Sequence, residues 1–326
     1  MSGVEKKIVT QDDHDIRLDK WFKRHYPALK FGNLSKLLRK GQIRISGARA
    51  KASDRVYTGQ EIRVPPLHLS ADEISAAQPT EHSVSDADAQ MLRAAVLYED
   101  DDLIAINKPA GLPVQGGSGT TRHLDGMLSA LARPGDSRPK LVHRLDKDTS
   151  GVLVLARTSK AAKELTEAFR RRETEKIYWA LVVGMPRHPR GRIEMKMDKL
   201  PGRLGERMVE TEDGKPSVTD YHRIDNANRR ASWMVLKPVT GRTHQLRLHM
   251  AEIGHPIVGD GKYGGEEAFL GGSVSKKMHL HARSITLPRA RGNLVVTAPL
   301  PRHMKDTWDL LGFNEDDGQL AFVEDE

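Results

Sequence analysis

One uninterrupted apolar run, residues 152–156 (Val-Leu-Val-Leu-Ala), constrains the fold most strongly, because such a run bounded by turn residues is typical of a buried strand. The polar segment 143–151 (His-Arg-Leu-Asp-Lys-Asp-Thr-Ser-Gly) leads directly into it. Ionisable side chains this close to a buried strand are costly unless they are paired, which indicates a functional site. A polar loop in which Asp146 and Asp148 only form the turn accounts for the same residues equally well.

Length and composition define the broad class of the protein. The chain has 326 residues, enough for one large domain and a smaller one. Hydrophobic residues make up 38% of it, which is sufficient for a core, and the absence of cysteine excludes disulfides, thiolate catalysis and zinc–cysteine sites. No apolar run approaches the roughly 20 residues of a membrane span, and no signal-peptide pattern opens the chain. We therefore expect a cytoplasmic protein without a membrane partner.

Positive charge is concentrated at the start of the chain. Residues 1–66 contain 15 lysines and arginines and 7 acidic residues, and this surplus equals the net charge of +8 of the whole protein. A basic module beside an electrically neutral body favours a polyanionic partner such as a nucleic acid.

The basic segment has the pattern of a small α+β domain. Residues 18–25 carry apolar side chains at helical spacing, and Asn33 is placed to cap a second short helix that ends at Gly41. Apolar and basic residues then alternate over 43–45 and 62–64, as they do in half-buried strands.

Over about residues 16–66 this segment resembles the S4 RNA-binding domain, and the match is carried by residues 17–19 and 37–47. The resemblance implies a domain over 1–66 whose basic surface contacts RNA phosphates. The side chains expected to make these contacts are Arg17, Lys36, Arg39, Lys40 and Arg44.

Composition also sets the other domain boundaries. Residues 67–93 are rich in Ser, Ala, Asp, Glu and Pro without an apolar period, which predicts a linker. A large domain is expected over 94–312, and the acidic residues 313–326 are expected to be a solvated tail. Many short strand patterns and few long helical ones, including a helix capped by Ser159, predict an α+β fold for the large domain.

Two motifs that would indicate other kinds of site are incomplete. The glycine-rich loop 108–119 follows a strand, but it matches neither G-x-x-x-x-G-K-[ST] nor G-x-G-x-x-G, which disfavours a nucleotide site. His244 and His249 are five residues apart and lack the glutamate of a zinc helix, which favours packing or substrate contact over metal binding. We therefore predict no nucleotide cofactor and no metal site.

Separated motifs in the large domain together resemble the pseudouridine synthases that modify large-subunit ribosomal RNA. The matching stretches are residues 143–151, 176–178 and 241–249, and the loop 108–111 is similar to the first loop of that family. The resemblance covers residues 94–302. It implies a catalytic domain with a mixed, mainly antiparallel central sheet and flanking helices, which isomerises uridines in 23S ribosomal RNA.

The same resemblance assigns roles to particular side chains. Asp146 is the expected nucleophile, and Arg247 is the expected ion-pair partner that keeps this carboxylate ionised. Tyr178 is expected to stack on uracil and to handle a proton at C5. Arg144 is expected to occupy the space left by the flipped-out base. The other predicted substrate contacts are His143, Lys176, Ile177 and Leu246.

Further expectations follow from this reaction. Ile177 and Leu246 would form apolar walls that exclude water, and Asp148 would cap the turn at 149–150. The isomerisation involves no redox change and no energy input, so no cofactor is expected. We expect a monomer acting on ribosomal RNA or its precursors. Attack at C1′ or at C6, action on another structured RNA, a base-removing glycosylase and a non-catalytic RNA-binding factor all stay open at this point.

Overall fold

A computed structural model of the protein describes residues 3–10, 13–67, 84–116, 120–200, 207–290, 292–320 and 322. The chain divides into two compact units, Met1–Ser83 and Val84–Glu326.

The first unit is a small α+β domain. Its helices are α1 (Leu18–His25) and α2 (Phe31–Arg39), and its strands are β1 (Glu5–Ile8), β2 (Ile16–Arg17), β3 (Arg44–Ile45), β4 (Ala48–Arg49), β5 (Arg55–Val56) and β6 (Glu61–Val64). Four strands form a sheet in the order β1-β6-β3-β4, and β2 pairs with β5. The apolar stripes of both helices share one core with β6, in which Trp21, Phe22, Leu34 and Ile62 are buried. Helical and strand spacing in the sequence therefore predicted α1, α2, β3 and β6, whereas β1, β2, β4 and β5 were not predicted.

The start of α2 differs from the prediction. Lys30, in an extended conformation, is the N-cap residue, and its carbonyl accepts the Leu34 N–H at 3.1 Å. Asn33 therefore lies exposed inside the first turn and does not cap the helix.

The second unit is built on an eleven-stranded sheet. Its strands are β7 (Val96–Glu99), β8 (Leu103–Lys108), β9 (Lys140–Leu141), β10 (Ser150–Ala156), β11 (Glu175–Val183), β12 (Arg190–Leu200), β13 (Arg207–Glu210), β14 (Lys215–Ala227), β15 (Ala231–Pro238), β16 (Leu280–Arg289) and β17 (Gly292–Thr297). Its α-helices are α3 (Asp86–Ala94), α4 (Leu124–Met127), α5 (Ser159–Arg171), α6 (Gln245–Glu252) and α7 (Arg302–Leu311).

The sheet is mixed and mainly antiparallel, which confirms the predicted fold class. Its strands follow the order β13-β12-β14-β15-β11-β16-β10-β8-β7, with β17 added beside β16 and β9 beside β10. Neighbouring strands are antiparallel, except that β10 and β16 run parallel where they meet. In the described part of the chain, no helix is both long and apolar enough to cross a membrane.

Alternating side chains in β11 divide the core between the two faces of the sheet. Trp179 packs on one face with Trp308 of α7. Tyr178 and Ala180 pack on the opposite face with Leu246 of α6. Because successive residues of a strand point to opposite faces, Tyr178 lies on the α6 side of the sheet.

A close approach between β10 and β16 depends on Gly151. This residue has φ +109°, and a Cβ atom placed there would lie 2.2 Å from the carbonyl oxygen of Ala282. Ala282 is in turn the register partner of Tyr178 on β11. The sheet therefore brings the loop before β10 close to Tyr178, although the two are far apart in sequence.

Two predicted boundaries are wrong. Residues 86–93, assigned to the linker, lie in α3, whose N-cap Ser85 accepts the Asp88 N–H at 3.1 Å and whose Leu92 is fully buried. Residues 68–83 of that linker lie outside the described residues. At the other end, Phe313 of the predicted solvated tail is buried beside Trp308, and a short 3-10 helix, Glu315–Leu320, follows it. In both segments the burial of apolar side chains, not the charged local composition, determines the structure.

Helix α5 begins one residue earlier than predicted. Thr158, not Ser159, is the N-cap residue, and its hydroxyl accepts the Ala161 N–H at 3.0 Å.

Candidate active site

Asp146 lies in the loop that leads into β10, at a meeting point with the start of α6. Its side chain is 21% exposed, and its Oδ2 atom is 3.6 Å from Nη1 of Arg247 and 3.9 Å from Nε2 of His244. A reachable carboxylate beside a buried guanidinium suits a nucleophile that must stay ionised.

Arg247 makes its strongest contacts with a residue that the sequence did not single out. Its Nε and Nη2 atoms donate to the two carboxylate oxygens of Asp260, at 2.6 and 2.8 Å. Both side chains are buried, with 9% and 1% exposed. Burial lowers the pKa of Arg247, but the bonds to Asp260 and the charge of Asp146 outweigh it and raise that pKa. Arg247 is therefore a permanent, fixed cation.

His244 is held in place from the other side. It adopts a left-handed conformation with φ 53°, which is uncommon for a residue with a side chain and is typical of functional sites. Its Nδ1 atom lies 2.8 Å from the hydroxyl of Tyr263, and this hydroxyl also accepts the Met208 N–H at 3.2 Å. Burial lowers the pKa of His244, which favours the neutral ring. With Tyr263 donating to Nδ1, the Nε2 hydrogen faces Asp146.

Tyr178 lines the same cavity as Asp146. The cavity has a volume of about 500 Å³, within the usual range of ligand sites, and Leu246 and Leu280 form part of its apolar wall. Burial, together with the nearby charge of Asp146, raises the pKa of Tyr178. The hydroxyl therefore stays protonated at neutral pH.

Cationic side chains form part of the lining of this cavity. They are Arg144, Arg170, Arg172, Lys176 and Arg242. Arg144 is exposed, whereas burial lowers the pKa of Lys176. The loop that carries Arg242 is fixed by Gln245, whose Oε1 atom accepts from the Arg242 N–H at 3.1 Å and from the Thr240 hydroxyl at 2.7 Å. A basic rim around a small cavity suits a nucleotide within a polyanion.

Lys108 binds the main chain of the loop that carries Asp146, a role that the sequence did not indicate. Its side chain is fully buried, and its ammonium group donates to the carbonyls of Pro109, Leu112 and Lys147 at 2.8 to 3.0 Å. Burial lowers its pKa to about 8, while the carboxylates of Asp148 and Asp146 act in the opposite direction. The loop is therefore tied to the end of β8.

Of the predicted substrate contacts, His143 lines the cavity and also has a packing role, whereas Ile177 lies elsewhere. The Nε2 atom of His143 accepts the Val154 N–H at 2.8 Å, and its ring stacks on Phe169 with centroids 4.4 Å apart. Burial lowers the pKa of His143 to about 3, so the ring is a neutral acceptor. Ile177 packs with the cluster around Trp179, on the face of the sheet opposite Tyr178. It is therefore not a wall of this cavity, because strand alternation directs it away.

The expected role of Asp148 is also wrong. The Thr149 N–H donates to the backbone carbonyl of Asp146 at 3.2 Å, so the main chain closes this turn without the Asp148 side chain.

The histidines considered as metal ligands have separate partners. Nε2 of His249 lies 2.8 Å from the Ser217 hydroxyl, whereas His244 contacts Tyr263. Within the described residues, no group of three or more His, Asp or Glu side chains is placed to hold a metal ion.

The predicted RNA contacts of the first unit fall into two groups. Lys36, Arg39 and Lys40 are exposed on and just after α2. Arg17 instead donates to both carboxylate oxygens of Asp19, and Arg44 donates to the Gly47 carbonyl at 2.9 Å.

Comparison with known proteins bears directly on the second unit. The model of the family described as RNA pseudouridylate synthase matches residues 102–252. A protein named Ribosomal large subunit pseudouridine synthase C, from Rickettsia bellii (strain RML369-C), is 38% identical over 278 residues, which are 84% of this chain and 90% of the relative. The chain belongs to the RNA pseudouridylate synthase family.

Further members of the family support this assignment. A relative of the same name from Escherichia coli (strain K12) is 33% identical over 310 residues, 93% of this chain and 95% of the relative. Among solved structures, Human RNA Pseudouridylate Synthase Domain Containing 4 is similar, with a TM-score of 0.59, 29% identity and coverage of 69% of this chain and 95% of that one. Human RNA Pseudouridylate Synthase Domain Containing 1 has a TM-score of 0.52, 30% identity and coverage of 64% and 83%.

The chain is therefore a pseudouridine synthase, and its family match spans Asp146, Tyr178 and Arg247. Asp260, the tighter partner of Arg247, lies outside the matched residues.

Proposed function

We propose that this pseudouridine synthase converts specific uridines of large-subunit (23S) ribosomal RNA to pseudouridine, with Asp146 as the nucleophile on a flipped-out base. The observation that carries the proposal is the 3.6 Å approach of Asp146 to Arg247 within a cavity that Tyr178 also lines. The printed names of the bacterial relatives support the choice of ribosomal RNA.

The reaction breaks the bond between N1 of uracil and C1′ of ribose and forms a bond between C5 and C1′. The carboxylate of Asp146 holds the intermediate by adding to C1′ or to C6, and it leaves when the new bond has formed. C5 loses its proton and N1 gains one, so the overall composition does not change. The neutral hydroxyl of Tyr178 is the group in this cavity best suited to mediate the transfer at C5.

The target base must leave the RNA stack before it can enter the cavity. Unstacking costs a few kcal/mol, about as much as one or two good contacts return. Arg144 is exposed at the rim of the cavity, two residues before Asp146, and its planar guanidinium suits the gap in the stack. Leu246 supplies an apolar wall that excludes water from the intermediate. The isomerisation needs no redox partner, and we propose a cofactor-free monomer that works in the cytoplasm.

The proposal assigns the first unit to RNA binding in the manner of an S4 domain. Lys36 and Arg39 of α2 and the adjacent Lys40 support this, since their exposed side chains can contact RNA phosphates.

The test uses 23S ribosomal RNA treated with the protein and then analysed by carbodiimide-stop primer extension and by mass. New stops without a change of RNA mass are expected, and Asp146→Asn should abolish them. Stops that persist with Asp146→Asn would overturn the assignment of the nucleophile. Loss of the mass of a base would indicate a glycosylase. The absence of stops in any RNA would indicate a non-catalytic binding protein. Stops only in other RNA would indicate a different substrate.

A further inference from the structure

A second cavity adjoins the proposed active site. It has a volume of about 720 Å³ and shares the side chains of Arg247 and His244 with the first cavity. Its other walls come from the loop after Asp146 and from the segments 259–262 and 276–278. A polymer with one unit in the first cavity would have its neighbouring units beside the second cavity.

The second cavity carries a concentrated positive charge. Four lysines line it, Lys147, Lys262, Lys276 and Lys277, against the carboxylates of Asp148 and Asp260. Asp260 is already bound by Arg247. Within the described residues, the exposed ammonium groups of Lys147, Lys276 and Lys277 form no ion pair.

Some surface cations elsewhere in this unit are paired with carboxylates. Arg192 is paired with Asp220 at 2.6 Å, and Lys305 with Asp309 at 2.6 Å. Because Lys147, Lys276 and Lys277 line one cavity, their charges together make it suited to anionic groups.

Main-chain contacts connect the segment of Lys276 and Lys277 with the segment that carries Asp260. A Cβ atom at Gly259, where φ is +83°, would lie 2.2 Å from the Lys277 carbonyl oxygen, so the two segments are in close contact. The His279 N–H also donates to the Val258 carbonyl at 2.8 Å. Asp260 follows directly and binds Arg247. The main chain of the lysine segment is thus in contact with the segment that carries Asp260.

We propose that this second cavity binds the backbone phosphates of the RNA strand on either side of the target uridine. Lysine is suited to this task because its ammonium group acts as a point charge that adapts to phosphates of varying orientation. Two phosphates bound here would hold the strand while its uridine enters the first cavity. This inference rests on the proposed function and deepens it by naming where the strand lies.

The test replaces Lys276 and Lys277 by glutamine in the full chain. The matched control is Arg302→Gln with Lys305→Gln on α7, which packs on the opposite face of the sheet from α6. The probe is a short single-stranded RNA with one uridine, and its binding is measured by fluorescence anisotropy over a range of salt concentrations. A second probe carries uncharged methylphosphonate linkages on both sides of that uridine.

We expect the Lys276/Lys277 variant to bind the normal probe about tenfold more weakly, with the slope of log K against log salt reduced by about 1. The control variant should bind within about twofold of the unaltered protein, since its cations are already paired. The methylphosphonate probe should bind the unaltered protein weakly and lose nothing more with the lysine variant, because the two changes remove the same contact.

Equal losses in the control, or an unchanged salt slope in the lysine variant, would overturn the subsite. Full affinity of the unaltered protein for the methylphosphonate probe would also overturn it. Formation of pseudouridine is followed separately on ribosomal RNA. Lysine-dependent binding without any pseudouridine would overturn the proposed function while supporting the subsite.

Discussion

Asp260 binds Arg247 through both of its carboxylate oxygens, at 2.6 and 2.8 Å. A guanidinium group presents five N–H donors in a rigid plane, so this bidentate contact fixes the direction of the whole group. The remaining Nη1 atom is the one that lies 3.6 Å from Asp146. Arg247 therefore reaches the proposed nucleophile with an orientation that a different carboxylate determines.

Removal of Asp260 should destabilise the protein as well as inactivate it. Asp260→Ala leaves a buried guanidinium without its main partner, and we expect a loss of about 3 kcal/mol in the free energy of unfolding. The double variant Asp260→Ala with Arg247→Met should recover part of that loss because it also removes the charge. Urea unfolding of the three proteins measures both effects, and equal instability of single and double variants would contradict a charge-based explanation.

Gly151 provides a separate test of how the site is built. Gly151→Ala would place a Cβ atom 2.2 Å from the Ala282 carbonyl oxygen, so β10 and β16 must move apart. We expect loss of pseudouridine formation and a destabilisation of several kcal/mol. The matched control is Gly111→Ala, which has a similar φ of +86° but no atom within 4 Å, and should cost only about 1 kcal/mol. Similar melting temperatures for the two variants would show that the contact with Ala282 does not matter.

The sequence identified Asp146 and Arg247 as candidate site residues, but it did not identify Asp260, the partner of Arg247. Asp146 and Arg247 lie in motifs with a strong local pattern, next to a buried strand and a buried helix. Asp260 could not be found in this way. It lies between Gly259 and Gly261, in a segment without helical or strand periodicity, and its pairing with Arg247 depends on the tertiary fold. Local residue patterns carry no information about which loop returns to a given arginine.

The position of Ile177 and the packing role of His143 have physical causes as well. Ile177 is adjacent to Tyr178 in sequence, but strand alternation directs the two side chains to opposite faces. The strand was predicted, so this alternation was the signal that could have excluded Ile177. His143 precedes Asp146 by three residues, yet its ring accepts a backbone N–H of β10 and stacks on α5. That contact depends on how the loop folds back, which no spacing rule specifies.

Tyr178→Phe should separate the stacking ring from its hydroxyl. Phenylalanine keeps the ring on the α6 face of the sheet but cannot take part in proton transfer. We expect RNA affinity to change by less than about threefold, whereas the rate of pseudouridine formation should fall about 10²- to 10⁴-fold, the usual range for a lost acid–base group. Tyr178→Leu is the comparison variant and should weaken binding as well. A Tyr178→Phe protein of full activity would remove the hydroxyl from the mechanism.

The cations of α2 should set the salt dependence of RNA binding. Replacing Lys36, Arg39 and Lys40 by glutamine should reduce the slope of log K against log salt by about 2, at about 0.7 for each phosphate contact on single-stranded RNA. Arg17→Gln is the matched control, since Arg17 is already paired with Asp19 and should contribute little. Filter binding over a salt series measures both slopes. A slope unchanged by the triple substitution would assign the first unit another role.

Buried histidines should make the fold sensitive to acid. His249, His279 and His281 are fully buried, and burial lowers the pKa of each to about 4. In the unfolded chain a histidine titrates near 6.5, so below that pH the unfolded state binds protons that the folded state does not. Stability is therefore at its full value above pH 6.5 and is lost as the pH falls towards 4.

The expected slope near pH 5 is about 1.4 kcal/mol per pH unit for each of these histidines. Urea unfolding at several pH values measures it. The variant His281→Gln should reduce the slope by about 1.4 kcal/mol per pH unit, whereas a change at the exposed His188 should leave it unaltered, since that side chain lies in solvent in both states. A slope that is unchanged in His281→Gln would mean that protonation of His281 does not contribute to acid instability.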